Sequence, residues 1–337
     1  MKRFLVLVLT SLLASSTIIS QSAQEPPELA QATELTNSVA KLFKEDKFDE
    51  ALPLARRALE IRERLLPRTD PRITMSLGYV GDLYVAKRDY DNAKKTFERL
   101  LQLQEEQGGP NDVKLASTLD RLAVLYNRDG KPVKAEELYQ RALALREKAL
   151  GPEDIQVAET YYALGQFYRI RKDFDKALNS YRRSLAIFVR NSGNTADGFE
   201  RASTGFSCVG YESGNKAIFD ELEAIQKQFA PAQPRPRVDK ILNASAVTLA
   251  KPEYPARARE QHLSGTIVVQ VEIDEEGKVI SAKDMCGGVA YLGEASIKAA
   301  LKSRFAPTTI SGVPVKTRGV LQFNFIASPT IPRILPD

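Results

Sequence analysis

The feature of the sequence that most restricts its fold is a pattern that recurs every 42 residues. The recurring positions include Ala51, Ala93, Ala135 and Ala177, and also Leu59, Leu101, Leu143 and Leu185. A fixed period of this length is typical of repeat architectures, in which each unit buries its apolar face against its neighbours. The pattern predicts four stacked units over residues 33–191.

Each unit contains two apolar stripes with helical spacing. In the third unit, Leu115, Leu119 and Leu122 recur at three- and four-residue steps, which places them on one face of a helix. The polar stretch 127–130 interrupts this stripe, and a second one begins at Ala135. The sequence therefore predicts a helical hairpin in each unit.

The positions of large, small and aromatic residues in the first helices resemble the tetratricopeptide repeat. The large apolar positions are Leu77, Leu119 and Tyr161, the small ones are Gly81, Ala123 and Gly165, and the aromatic ones are Tyr84, Tyr126 and Tyr168. The 42-residue period resembles the longer kinesin-light-chain type of repeat. At a step of 40 residues, Gly205 matches Gly165 and Ala217 matches Ala177, which predicts a degenerate capping hairpin at 197–229.

This resemblance implies a concave groove that binds peptides or partner proteins. The first helices of the repeats would line the groove. The alternative is that their polar residues are ordinary solvated positions. The candidate groove residues are Asn37, Asp120, Asn127, Arg128, Tyr162, Gln166 and Arg169.

After a proline-rich hinge at 230–240, the helical period gives way to a different pattern. Apolar and polar residues alternate from Thr266 to Ile273, which predicts a half-buried strand, and Gly277 lies in the turn to its hairpin partner. A short helix precedes this hairpin, and a second helix and a last strand follow it. Residues 241–327 are therefore expected to form a small α+β domain with an antiparallel three-stranded sheet, followed by a tail at 328–337.

Residues 250–326 resemble the carboxy-terminal domain of TonB. The resemblance is carried by Pro252-x-Tyr254-Pro255, the alternating strand from Gly265 to Asp274, Arg304-Phe305-x-Pro307 and Phe323-x-Phe325. It implies that an extended receptor segment binds by adding a strand beside the last strand. The alternative is that the domain's own tail or a dimer mate covers this edge. The candidate edge residues are Val320, Leu321, Gln322, Phe323, Asn324 and Phe325.

The first residues have the pattern of a secretory signal. Lys2 and Arg3 precede an apolar stretch from Phe4 to Ile19, which is shorter than a comfortable membrane span. Residues 1–23 are expected to be a signal peptide, with an uncleaved anchor as the alternative. The folded part is then periplasmic or secreted. Cys208 and Cys286 lie in different predicted domains, so unpaired thiols are favoured over a disulfide.

The composition excludes several functional classes. The net charge of +5 is too small and too dispersed to indicate nucleic-acid binding. One histidine and two cysteines exclude a zinc site built from several such ligands, and no motif of nucleotide or hydrolase chemistry occurs. We expect no catalysis and no cofactor. The expected function is a periplasmic adaptor whose partners are proteins or peptides, with segments of outer-membrane receptors as the candidate peptides. The alternative is an inner-membrane-anchored energy transducer of the TonB type.

Overall fold

The computed structural model describes residues 26–191, 196–229, 242, 245–287, 290–310 and 312–326. The predicted signal at 1–23, the hinge at 230–240 and the tail at 328–337 lie outside these residues. The chain divides into two compact units, residues 1–103 and 104–337.

The first unit is helical. Its helices begin after short turns, and α4 continues into the second unit. The helices are α1 (Pro27–Lys44), α2 (Phe48–Leu65), α3 (Pro71–Ala86) and α4 (Tyr90–Gly108). Within this unit the Phe97 ring lies directly against Gly81. A Cβ atom at position 81 would lie 2.5 Å from the ring and would overlap it. The small residue of the repeat pattern is therefore needed where helices cross closely.

The second unit contains the remaining repeat helices. They are α5 (Leu115–Arg128), α6 (Pro132–Leu150), α7 (Ile155–Ile170), α8 (Phe174–Arg190), α9 (Ala196–Ser213) and α10 (Ala217–Phe229). The same close crossing recurs here, with Tyr181 of α8 against Gly165 of α7. Tyr181 also contacts Gly205 of α9, so one buried ring joins three successive helices.

Aspartates at the turns between repeats start the next helix. Asp70 accepts a hydrogen bond from the backbone N–H of Arg72 at 2.8 Å, and Asp154 accepts one from Gln156 at 2.7 Å. Such side chains satisfy N–H groups that have no partner in the first helical turn. At the end of α6, Gly151 has φ 90°, a conformation that favours glycine and reverses the chain.

The carboxy-terminal domain is built on a three-stranded antiparallel sheet with strand order β3-β2-β7. Two further strand pairs, β1 with β4 and β5 with β6, flank it. The elements are β1 (Ala246–Thr248), α11 (Ala256–Glu260), β2 (Gly265–Ile273), β3 (Val279–Asp284), α12 (Ala290–Lys302), β4 (Arg304–Phe305), β5 (Thr309–Ile310), β6 (Val313–Pro314) and β7 (Thr317–Phe325). The predicted fold class, helical repeats followed by a small α+β domain, is confirmed.

One face of this sheet forms the core of the domain. Ile267 lies opposite Phe323 and Val269 lies opposite Leu321 in the β2–β7 register. These side chains are buried with Leu292 of α12. Within the described part of the chain, no helix has both the length and the apolar character needed to cross a membrane.

Candidate functional site

Strand β7 is an edge of the sheet within the described residues. It pairs with β2 on one side only. On the other side, the backbone N–H of Leu242 donates to the carbonyl of Val320 at 2.8 Å. The N–H and C=O of one strand residue point to the same side, and the side alternates along the strand. The backbone groups of Val320, Gln322 and Asn324 therefore face away from β2.

The side chains of β7 divide between the two faces of the sheet. Leu321, Phe323 and Phe325 are buried in the domain core, where the Phe325 ring packs edge-on against Tyr254 at 5.6 Å between centroids. Asn324 is exposed. Its Oδ1 accepts a hydrogen bond of 2.8 Å from the hydroxyl of Thr266 on β2. The candidate edge therefore offers backbone groups rather than apolar side chains.

The second face of the sheet packs against the last repeat helices. Val268 of β2 and Val320 of β7 are buried in one cluster with Cys208 and Tyr211 of α9, and with Cys286. Phe219 of α10 and Met285 pack around this cluster. We call these residues the junction. The alternation pattern leaves this face to solvent, but the structure buries part of it because α9 lies across the sheet.

Cys208 and Cys286 form a disulfide, so the expectation of unpaired thiols is wrong. Their Cα atoms are 5.5 Å apart although 78 residues separate them in sequence. The prediction assumed that cysteines of different domains do not meet. The docking of the sheet on α9 brings the loop after β3 onto that helix.

Arg169 of α7 is the polar centre of the junction. Its Nη2 donates to the backbone carbonyl of Cys286 at 2.6 Å, its Nη1 contacts Glu212 of α9, and its Nε donates to Gln166 at 3.2 Å. Gln166 in turn donates to the hydroxyl of Tyr162 at 2.8 Å. Three candidate groove residues thus form one hydrogen-bonded chain, and they face the protein's own carboxy-terminal domain.

Burial controls the ionisation of Glu212. It raises the pKa of this carboxyl, while the neighbouring Arg169 opposes the shift. A cavity of about 400 Å³ lies beside this ion pair. Residues of α7, α9 and the end of β3 line it, among them Arg169, Arg201 and Lys283.

The other candidate groove residues lie elsewhere. Asp120 of α5 is held by Arg146 of α6 at 2.5 Å, and the same Arg146 nitrogen contacts Thr160 of α7. Burial raises the pKa of Asp120. Asn127 is half-buried and Arg128 is exposed at the end of α5, whereas Asn37 is exposed on α1 in the first unit. The structure therefore joins Asp120 to the packing between repeats and does not bring it to Tyr162.

The sequence analysis missed the residues that hold the junction together. Val268, Tyr211 and Glu212 were not candidates, because each of them follows an ordinary helix or strand pattern. The signal that could have found the junction is the presence of two cysteines behind a predicted secretory signal. Within the described residues, no group of three or more histidine, cysteine or acidic side chains could hold a metal ion.

Comparisons with known proteins match these two parts of the chain. A tetratricopeptide-repeat family model matches residues 71–148 and 114–188, and a second such model matches 42–72. The model of the Gram-negative bacterial TonB protein C-terminal domain matches residues 250–327. The chain is a tetratricopeptide-repeat protein with a TonB-type carboxy-terminal domain. Both families are non-catalytic scaffolds, and the TonB domain is an envelope domain of Gram-negative bacteria.

Solved structures of other repeat proteins are similar to the helical part of this chain. BtubC (BKLC) from P. vanneervenii is 24% identical with a TM-score of 0.53, and the match covers 63% of this chain and 87% of that chain. A Podosopora anserina structure of kinesin-light-chain TPR-like repeats is 16% identical with a TM-score of 0.51, covering 61% and 99%. At these identities the likeness shows the fold alone. No curated protein matches the chain.

Proposed function

We propose that this protein is a periplasmic adaptor that binds an extended segment of a partner by strand addition to β7. The observation that carries the proposal is the edge position of β7 within the described residues, where the backbone groups of Asn324 face away from β2. An extended peptide binds such an edge through main-chain hydrogen bonds. Segments of outer-membrane receptors are the proposed partners.

The protein's own chain limits where the added strand fits. Leu242 already donates to the Val320 carbonyl, and its side chain lies against Gly319. In this proposal the added strand pairs at the Asn324 end of β7, and it reaches Val320 only if Leu242 moves away.

The repeats supply a second surface in this proposal. Tyr162, Gln166 and Arg169 face the carboxy-terminal domain, so they are not offered to a second protein while the junction is closed. The remaining exposed or half-buried candidates are Asn127 and Arg128 on α5 and Asn37 on α1. We propose that protein partners bind first-helix positions of the repeats, at Asn127 and Arg128 in the second unit and at Asn37 in the first.

A proline scan of the edge tests the strand-addition proposal. The full chain is titrated with synthetic peptides from receptor segments that face the periplasm. Because the Asn324 N–H faces away from β2, Asn324→Pro removes a hydrogen bond to the peptide and leaves the β2–β7 ladder intact. Binding should weaken at least tenfold, with a melting temperature close to that of the wild type.

Asn324→Ala is the matched control, since it keeps the backbone N–H and should bind as the wild type does. The proposal is wrong if the folded wild type binds none of the peptides. It is also wrong if Asn324→Pro remains folded and binds them with unchanged affinity.

Cell fractionation with amino-terminal sequencing tests the location. The adaptor proposal requires a periplasmic chain that starts near Gln24. A chain that keeps residues 1–23 and stays in the inner membrane would support the energy transducer instead.

A further inference from the structure

The disulfide lies where the repeats meet the sheet and not within either part. Cys208 belongs to α9, and Cys286 belongs to the loop between β3 and α12. Arg169 of α7 donates a hydrogen bond to the same loop, at the backbone carbonyl of Cys286. One covalent bond and one hydrogen bond therefore join this loop to the repeat helices.

The disulfide forms part of the wall of a solvent-connected cavity. Both cysteines line the cavity of about 400 Å³, together with Lys283 and Met285 from the sheet side. Cys286 is 7% exposed and Cys208 is 1% exposed, so Cys286 is the more accessible of the two. A reductant that enters this cavity would therefore meet the disulfide from the Cys286 side.

The wall of this cavity carries both cationic and anionic side chains. Arg169, Arg201 and Lys283 line the cavity, with the carboxylates of Asp197 and Glu200 among them. Cations next to a cysteine stabilise its thiolate form, and they stabilise an anion that attacks or leaves. Arg169 is paired with Glu212 and Arg201 with Glu159, so these cations stabilise a thiolate at this wall only in part.

We propose that Cys208–Cys286 is a thiol–disulfide exchange site, at which a dithiol reductant opens the junction and releases the sheet from α9. The inference does not depend on strand addition at β7, because it concerns how the two parts of this chain are held together. The co-reactant is a dithiol, either a small molecule or the paired cysteines of a redox protein.

The exchange proceeds in two displacements. A thiolate of the dithiol attacks Sγ of Cys286, a mixed disulfide forms, and the electron pair of the broken bond stays on Sγ of Cys208, which takes a proton from water. The second thiolate of the dithiol then attacks the other dithiol sulfur, the one bonded to Cys286 in the mixed disulfide, and Cys286 is released. Two electrons and two protons pass from the dithiol to the protein, and the dithiol leaves as a disulfide.

Opening the bond changes what the chain exposes. Val268 and Val320 of the sheet are buried in one cluster with Tyr211 of α9. Without the covalent link, the apolar cluster and the contacts of Arg169 must hold the sheet on α9 by themselves. The oxidised protein is then the closed form, and the reduced protein is the open form.

Reduction of the native full chain by dithiothreitol tests the proposal. Non-reducing peptide mapping first establishes the Cys208–Cys286 link, and maleimide labelling then follows the appearance of two thiols. We expect native reduction within about tenfold of the rate in denaturant. A disulfide that opens only on global unfolding would react about 10³-fold or more slowly. Far-ultraviolet circular dichroism should stay unchanged, while the radius of gyration from X-ray scattering rises.

The variant Cys208→Ser/Cys286→Ser is the matched control. It should show the larger radius without reductant and should not respond to dithiothreitol. The proposal is overturned if the wild-type thiols appear only when circular dichroism reports unfolding. It is equally overturned if reduced wild type or a folded double variant keeps the radius of the oxidised chain. If the double variant does not fold, the native reduction of the wild type decides alone.

Discussion

The contacts between successive repeats and the contacts at the junction are built on different plans. Between repeats, a side-chain hydrogen bond recurs between residues that are 14 positions apart. Arg146 donates to Thr160 at 2.5 Å, and Thr118 donates to Gln104 at 2.8 Å. Within the first unit, Arg62 donates to Ser76 at 2.6 Å. Each of these bonds joins the second helix of one repeat to the first helix of the next.

The junction has no counterpart elsewhere in the described chain. Its disulfide is the single one within the described residues, and the disulfide and the Arg169–Cys286 hydrogen bond connect residues that are far apart in sequence. In a repeat array the stability is spread over many similar interfaces between neighbours. At the junction it depends on a few residues, so single substitutions there should have effects that no other repeat could predict.

Tyr181→Ala should have the largest effect on the repeats. The ring is fully buried and contacts Gly165 and Gly205, so its loss leaves a cavity among three helices. Truncation of a buried aromatic residue costs about 3–5 kcal/mol of unfolding free energy. Urea titration followed by circular dichroism measures this cost. Asn179→Ala, at an exposed position of the same helix, should cost less than about 0.5 kcal/mol. Equal costs for the two would show that α8 is packed in another register.

The elements that follow a period could be predicted from the sequence. The 42-residue step places Gly165 against the aromatic residue of the next helix, because both the spacing and the sizes of the residues repeat. The alternation of β2 likewise predicts which side chains of that strand enter the core beside Leu321 and Phe323. In both cases the contacts are local, or they recur at a fixed register.

The junction could not be predicted in this way. Val268 occupies an outward position of β2, and a single apolar residue there is compatible with solvent exposure. Arg169 has the position of a groove residue. Its sequence context does not show whether the guanidinium binds a peptide from another protein or the carbonyl of Cys286. The deciding factor is the docking of the sheet on α9, which is a long-range arrangement without a periodic signal.

Arg169→Met should be the most damaging substitution at the junction that keeps the disulfide. It leaves Glu212 without its counter-charge and Cys286 without a donor to its carbonyl. Removal of one partner of a buried ion pair costs 3–5 kcal/mol, and we expect about 3 kcal/mol because Glu212 keeps some exposure. Thermal unfolding of the full chain measures the loss. If Arg169→Met melts like the wild type, the junction does not depend on this ion pair.

Glu212→Gln should change the pH dependence of stability. Burial raises the pKa of Glu212 in the folded protein, so the folded state holds its proton to higher pH than the unfolded chain does. The contribution of Glu212 is present below its unfolded pKa of about 4.3 and is lost as pH rises through the raised pKa. The difference in unfolding free energy between Glu212→Gln and wild type should therefore shift in favour of the variant as pH rises. A difference that is constant with pH would contradict this shift.

Ala135→Phe tests the interface that the repeats share. Ala135 is completely buried where α6 meets its neighbours, so the added ring forces the helices apart. Overpacking of this kind costs about 1–3 kcal/mol. Lys148→Ala, at an exposed position of the same helix, should change the unfolding free energy by less than about 0.5 kcal/mol. Similar melting shifts for the two variants would contradict the helical register.

Asn324→Ala should have the smallest effect, and it locates the end of the junction. Asn324 and Val320 lie on the same face of β7, but Val320 is buried in the cluster with α9, whereas Asn324 is exposed and accepts a hydrogen bond from Thr266. An exposed hydrogen bond between neutral groups contributes little, so Asn324→Ala should cost less than about 0.5 kcal/mol. Val320→Ala should cost more than about 1 kcal/mol, because it empties part of the buried cluster. Thermal unfolding of the two variants gives the comparison. If Asn324→Ala proves as costly as Val320→Ala, the apolar contact with the repeats extends along the whole of β7, and the edge at Asn324 is not open to a partner.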